Sequence, residues 1–250
     1  MPDFALATTA DLPLLQDFRM LVRTFRTHHP DAPIVCVGRS DFKPECDKLG
    51  VIHVPYDKPW AFYREVVHLK ALAITEALRI APSALFCDAD ILFLSRYEPK
   101  PGIWIAPHYM KASACASYGK YNCGYLASDN SVLPLWWVDH VMKHPEEFGE
   151  QQALEHFGEA FTVNEFDDGH NVGWWRLAHA DDQAAFAASL QMVGGVLYCW
   201  GHRVVSSHTH IFRYTTAKST QSQDGGMAAA FNKLLSEKMG ADTFAGIVEG

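Results

Sequence analysis

Short apolar runs that alternate with helix-period stretches constrain this chain more than any other feature of its sequence. Asp3 to Thr8 reads as a short apolar strand. Pro33 introduces a second strand, Ile34 to Val37, closed by Gly38, and Gly50 precedes a third, Val51 to Val54. Between the first two, Asp11 offers an N-cap with Pro13 in the first turn, and Leu14, Leu15, Phe18, Leu21, Val22 and Phe25 recur at helical spacing. A longer helix is predicted from about Phe62 to Ile80, stopped by Pro82, and Ala84-Leu85-Phe86-Cys87 follows as a buried strand. This strand–helix–strand alternation predicts an α/β sheet with helices on its faces. Further on, Ile103 to Ala106 and Gly124 to Ala127 read as strands, and Asn130 is placed to cap a helix bearing Leu133, Trp136, Trp137 and Val141. Short strands near Val196 to Cys199 and Val204 to Ser207 precede an Ala-rich helix near Met227 to Met239. Without a repeat or linker, one domain over residues 1–250 is the expectation.

Composition narrows the class of partner. A net charge of −8, with Lys and Arg scattered, argues against nucleic acid and against anionic lipid. The six cysteines, Cys36, Cys46, Cys87, Cys115, Cys123 and Cys199, form no C-x-x-C pair, so buried thiols are expected rather than structural zinc. The N-terminus has no basic stretch leading into an apolar one, and no apolar run reaches the roughly 18 residues of a membrane span. A cytoplasmic chain without a transmembrane segment is expected.

Chemistry concentrates at Asp88-Ala89-Asp90, which follows a buried strand and runs straight into Ile91 to Leu94. Two carboxylates in apolar surroundings are costly to bury ionised without a partner. The carboxyl end of a strand is where open α/β sheets bind ligands. On a continuing strand the i, i+2 spacing turns both carboxylates to one side, as a hard divalent cation requires. A solvated turn is the plain alternative, but no Gly or Asn adjoins the pair to make one. Val204-Val205-Ser206-Ser207-His208-Thr209-His210 repeats the spacing with two imidazoles, which share a face if the strand continues. Two carboxylates and one imidazole, with open positions, suit Mn²⁺ or Mg²⁺ holding a diphosphate.

In the order and spacing of these motifs the chain resembles the family 8 glycosyltransferases, the group that includes glycogenin and bacterial lipopolysaccharide galactosyltransferases. The likeness runs from the first strand to about Arg213. It implies a GT-A fold, a single mixed, mostly parallel central sheet flanked by helices. It also implies metal-dependent transfer, with retention, from a nucleotide diphosphate sugar to an acceptor. By resemblance, Thr8 and Thr9 end the strand that contacts the nucleoside, and Lys70 is the basic donor contact on the preceding helix. Asp88 and Asp90 resemble the metal-binding pair, with Asp88 also at the donor. Tyr121-Asn122-Cys123-Gly124-Tyr125 is similar to the family's F-N-[S/A]-G-V, which makes Asn122 a donor contact. Glu150-Gln151 falls where the family has Asp-Gln beside the anomeric carbon, Asn171 stands near another family Asn, and His208 resembles the metal-binding His. Two departures stand out. The family's Asp-Gln is Glu-Gln here, and its H-x-x-G-x-x-K-P-W is missing, so that Arg213 is the candidate for the missing charge on the diphosphate, one position out of register.

Other readings of the same residues stay open. An inverting enzyme would need a carboxylate base, for which Asp167 and Asp168 are candidates, although a plain turn also accounts for them. A metal-dependent phosphoesterase could use the same Asp and His cluster, typically with more ligands for a second metal. A catalytically inactive nucleotide-sugar-binding protein would explain the missing motif. Trp174 and Trp175, taken as neighbours on a strand, would point to opposite faces, leaving one of them for an acceptor cleft.

Overall fold

The computed structural model describes residues 2–58, 63–146, 149–212 and 223–249. Four parallel strands, β1 (Ala5–Thr9), β2 (Ile34–Gly38), β3 (Ile52–Pro55) and β4 (Ala84–Cys87), make one half of a seven-stranded sheet. The helices α1 (Leu15–His28), α2 (Lys43–Lys48) and α3 (Tyr63–Ile80) connect them. After a short strand β5 (Ile91–Phe93) the sheet is completed by β6 (Ile103–Pro107), β7 (Tyr121–Ser128) and β8 (Val163–Glu165). The order is β3-β2-β1-β4-β7-β6-β8, and β7 alone of the seven runs against the others. The sheet is therefore mixed and mostly parallel, as the resemblance implied, with helices on its faces, as the alternation of apolar runs predicted.

Its two faces follow from period-2 alternation. Leu6, Ile34, Cys36, Leu85 and Cys87 point to the side covered by α1, where Phe18 and Phe25 meet them. Ala5, Ala7, Val35, Val37 and Phe86 point to the side covered by α3 and by α5 (Leu133–Lys143), which supplies Trp137. Each aromatic ring closed off in this way contributes roughly 2–3 kcal/mol of transfer free energy. The third strand is an edge strand, which is why it shows more surface than the apolar residues of Val51 to Val54 suggested.

Three local expectations are corrected. Asp88-Ala89-Asp90 does not continue a strand: it is a tight turn between β4 and β5, closed by the Ile91 amide on the Asp88 carbonyl at 3.3 Å. The turn forms without Gly or Asn because each aspartate finds a cationic or imidazole partner (below). Trp174 and Trp175 are not on a strand either, but open the short helix α8 (Trp174–Ala178). Asn130 precedes α5 without capping it, since its side chain accepts from the Val132 amide two residues on.

A second, three-stranded sheet carries the far side of the site. β13 (Ser206–His208) lies antiparallel to β5 and parallel to β9 (Val172–Gly173), which sets His208 opposite Ile91 and Gly173. The rest of this half of the chain includes the short helices α4 (Ala112–Tyr118), α6 (Gly149–Gln152), α7 (Phe157–Ala160) and α9 (Gln183–Ser189). A meander, β10 (Gln191–Val193), β11 (Val196–Cys199) and β12 (His202–Arg203), follows, and α10 (Gln223–Met239) and α11 (Ala241–Glu249) end the chain. No helix among the described residues is long and apolar enough to cross a membrane.

Candidate donor and metal site

The site is assembled at the carboxyl ends of β1 and β4, where the parallel pairing of the two strands brings Thr9 and Asp88 to one edge of the sheet. Lys70 rises to that edge from α3. Its Nζ stands 3.1 Å from Asp88 Oδ1, 3.7 Å from Glu150 Oε1, and 3.3 Å from both the carbonyl oxygen and Sγ of Cys123. The ammonium also lies over the Phe86 ring at 5.4 Å. Burial alone would depress this lysine. Asp88 first, then Cys123 and Glu150, reverse the effect and hold it above the ordinary lysine range, so it stays charged. The same burial pushes the Cys123 thiol up, against the pull of Lys70, which leaves it a neutral spacer rather than a nucleophile.

Glu150 reaches the cluster from α6, which is anchored by the Trp137 indole donating to the Glu150 carbonyl at 2.9 Å. Gln151 binds the Tyr118 carbonyl through its amide nitrogen and turns its oxygen toward Cys123, 3.8 Å away. Both members of Glu150-Gln151 therefore border the lysine pocket.

Asp90, two residues on, faces elsewhere. Its Oδ1 is 2.7 Å from His208 Nε2 and its Oδ2 is 3.2 Å from His210 Nε2. Ligand atoms of these three residues all lie within 4.8 Å of one another, and all three are largely withdrawn from solvent. Asp88 stands outside this group of three and pairs with Lys70 instead. Where two carboxylates and one imidazole were expected, the convergent group is one carboxylate and two imidazoles.

Asn122 and Asn171 join the two clusters. Asn122 Oδ1 accepts from the Gly124 amide and from Asn171 Nδ2, each at 2.9 Å, while its Nδ2 donates to His108 Nε2 at 3.2 Å. Asn171 Oδ1 lies 3.3 Å from His208 Nδ1. A hydrogen-bonded chain of buried side chains therefore runs from His108 through both asparagines to His208 and Asp90. Asn122 takes part because β7 bulges against β6 just there: Ile105 pairs with Leu126, but Ala106 already pairs with Asn122. Asn171 reaches both partners from a left-handed backbone, with φ of 51°. Gly124 is required for space, since a methyl group there would sit 2.5 Å from Asp88 Oδ2 and 2.9 Å from Asn122 Oδ1.

Of the other residues singled out in the sequence, Thr8 is wholly enclosed and Thr9 lies nearer the surface at the end of β1. Arg213 lies outside the described residues. Asp167 accepts from the Gly169 amide at 3.0 Å, and the Asp168 carbonyl accepts from Arg176 at 2.8 Å, both turn and anchoring roles. Sequence reasoning passed over His108 and Arg176, and it offered Trp175 only as one of two tryptophans for an acceptor cleft. Trp175 packs edge-on against His208 with centroids 5.0 Å apart and donates to the His108 carbonyl, and Gly173 leaves room for its ring. Arg176 is completely buried and donates to the carbonyls of Asp168, His170 and Asn171. No motif marks their contacts: the pairing of β9 with β13 brings in Trp175 and Arg176, and His108 arrives at the end of β6.

No family model and no curated protein sequence matches the chain. Comparison with solved structures is decisive for the architecture. The galactosyltransferase LgtC, in complex with donor and acceptor sugar analogues, aligns over 94% of this chain and 96% of its own at a TM-score of 0.57 and 12% identity. The fold is GT-A. Mouse xyloside xylosyltransferase 1 aligns over 84% of this chain and 99% of its own, at a TM-score of 0.51 and 13% identity. The glycosyltransferase GlyE of Streptococcus pneumoniae TIGR4 aligns over 68% of this chain at a TM-score of 0.51 and 12% identity; the match spans about half of that longer chain, 46%. The GT-A chain described here thus shares its architecture, but little of its sequence, with these glycosyltransferases.

Proposed function

We propose that this GT-A protein is a metal-dependent glycosyltransferase that moves a sugar from a nucleotide diphosphate sugar to an acceptor, with retention at the anomeric carbon. The observation that carries the reading is the placement of two distinct charged groups, Lys70–Asp88–Glu150 and Asp90–His208–His210, at one edge of a GT-A sheet. The three residues of the second group fit a divalent ion: they are buried, convergent, and offer one oxygen and two nitrogen atoms. Asn171 supports the fit by engaging His208 Nδ1, which leaves Nε2 directed at Asp90.

Asp90, His208 and His210 would hold Mn²⁺ or Mg²⁺, with Asp88 beside them at the donor. When bound, the ion supplies Lewis-acid neutralisation of the charge that develops on a departing nucleoside diphosphate. Lys70 adds a permanent positive charge at the same edge, fixed in place by three oxygens and a sulfur before any substrate arrives. Thr9, at the end of β1, borders the nucleoside side of the same edge. Glu150 presents a carboxylate near the sugar, where it stabilises an oxocarbenium-like transition state, and Gln151 lines the same wall. A retaining course needs no base on the opposite face, which agrees with the structural roles of Asp167 and Asp168.

Calorimetric titration with UDP, GDP and ADP, each with and without Mn²⁺, tests the reading. One nucleotide is expected to bind more tightly when Mn²⁺ is present, and the matching nucleotide sugar is expected to be hydrolysed or transferred by the native chain but not by Asp90→Ala. Tight metal binding with no nucleotide dependence would point to a hydrolase. Nucleotide binding without turnover of any sugar donor would leave a binding protein.

A further inference from the structure

A second cavity opens beyond Arg176, with a volume of about 270 Å³, lined among others by Tyr109, Lys111, Arg176, Asp181 and Trp200. Two of its aromatic residues, Tyr109 and Trp200, share an uncommon backbone. Trp200 and Gly201 form the two-residue turn between β11 and β12, across which Cys199 pairs with His202, and their φ angles are 51° and 82°. A turn with two positive φ values calls for Asn-Gly, and a bulky residue at its first position is strained. Trp200 nevertheless occupies it with 54% of its surface exposed. The hairpin gains nothing from that ring: an asparagine would make the turn better and cover as little core. Tyr109, at φ 53°, is held the same way, its hydroxyl donating to the Phe166 carbonyl and its ring face against the Arg176 guanidinium at 4.5 Å.

Strain of this kind persists where the surroundings enforce it, and it gathers at ligand sites. The chemistry of the walls is that of a sugar site. An exposed indole offers a flat apolar face for the C–H face of a pyranose, while Lys111 and Asp181, both at the surface, can donate to and accept from ring hydroxyls. Arg176 ties the cavity to the site described above, because the same guanidinium that lines it donates to the carbonyl of Asn171, whose side chain engages His208. We infer that the cavity between Tyr109 and Trp200 is a saccharide-binding subsite that seats the acceptor, which is therefore a glycan or glycoside rather than a protein side chain or a small aglycone. Its role as an acceptor site rests on the glycosyltransferase reading; its capacity to bind a saccharide does not.

Trp200→Asn separates the possibilities, since it relaxes the turn while removing the indole. Saturation-transfer NMR with methyl glycosides of the common hexoses and N-acetylhexosamines is expected to show binding of at least one probe to the native chain. The variant should lose that binding tenfold or more while its Tm stays the same or rises. Binding of a nucleoside diphosphate with Mn²⁺, measured on the same samples, should not change. Absence of binding by every glycoside, or binding that Trp200→Asn leaves intact, overturns the subsite. If glycoside binding depends on Trp200 but no nucleoside diphosphate binds with Mn²⁺, the subsite stands and the transferase reading falls.

Discussion

His208 Nδ1 lies 3.3 Å from the side-chain oxygen of Asn171, so the imidazole enters the Asp90 cluster already oriented, with Nε2 forward. The arrangement suits the proposed metal-binding role, in which a histidine is fixed by its other ring nitrogen. Replacing Asn171 by Gly keeps the left-handed backbone and removes the side chain. Mn²⁺ affinity in the presence of nucleoside diphosphate should fall roughly 10- to 100-fold in this variant. Unchanged affinity by calorimetry would show that His208 needs no such partner.

Lys70 is enclosed by two carboxylates that depend on its charge. Lys70→Met leaves Glu150 buried without its cation, which should cost on the order of 3 kcal/mol of stability in urea unfolding. Turnover of the donor should drop by about 10²- to 10³-fold, as when a preorganised electrostatic group is removed. A large stability loss with full activity in the surviving fraction would make Lys70 a structural residue only.

Gly124→Ala tests how tightly the site is built. The added methyl group meets Asp88 Oδ2 and Asn122 Oδ1, polar atoms of two proposed donor contacts, so they must shift to admit it. Donor binding should weaken at least tenfold while the unfolding midpoint changes little. If the crystal structure of the variant shows Asp88 and Asn122 unmoved, the close fit described here is wrong.

Acid should destabilise the fold through neutral histidines rather than through its carboxylates alone. Burial holds His29, His108 and His170 each at about 4, with neighbouring charges adding smaller effects. The unfolded chain has ordinary histidines near 6.5, so between roughly pH 6.5 and 4 it binds more protons than the folded chain. The stabilisation is therefore complete above about pH 6.5 and is lost as pH falls, by up to about 3 kcal/mol per histidine. Urea midpoints measured from pH 7.5 to 4.5 should fall steadily below 6.5; a flat profile over that range contradicts the burial of these rings.

How much of this was legible in sequence depends on the distance over which each feature is decided. The strands of the central sheet other than β8, and the helices α1, α3 and α5, could be read because apolar period and breakers are local. The lysine ahead of the acidic pair and the Asn-x-Gly segment could be read because their order along the chain resembles a known pattern. His108, Arg176 and the packing of Trp175 against His208 could not. They act through hydrogen bonds and ring contacts set up by a bulge in β7 and by left-handed residues such as Asn171, and no local pattern announces either.

The sequence by itself determined that Asp88 and Asp90 would leave a buried strand together and that each would need a partner. Tertiary structure decided that the partners differ. The Thr209 amide donates to the Asp90 carbonyl across 119 residues of chain, and antiparallel pairing of β13 with β5 carries both histidines to Asp90. The packing of α3 on β1 and β4, set by a different part of the core, carries Lys70 to Asp88. A tight turn lets two carboxylates two residues apart diverge in this way, where an extended strand would have held them on one side.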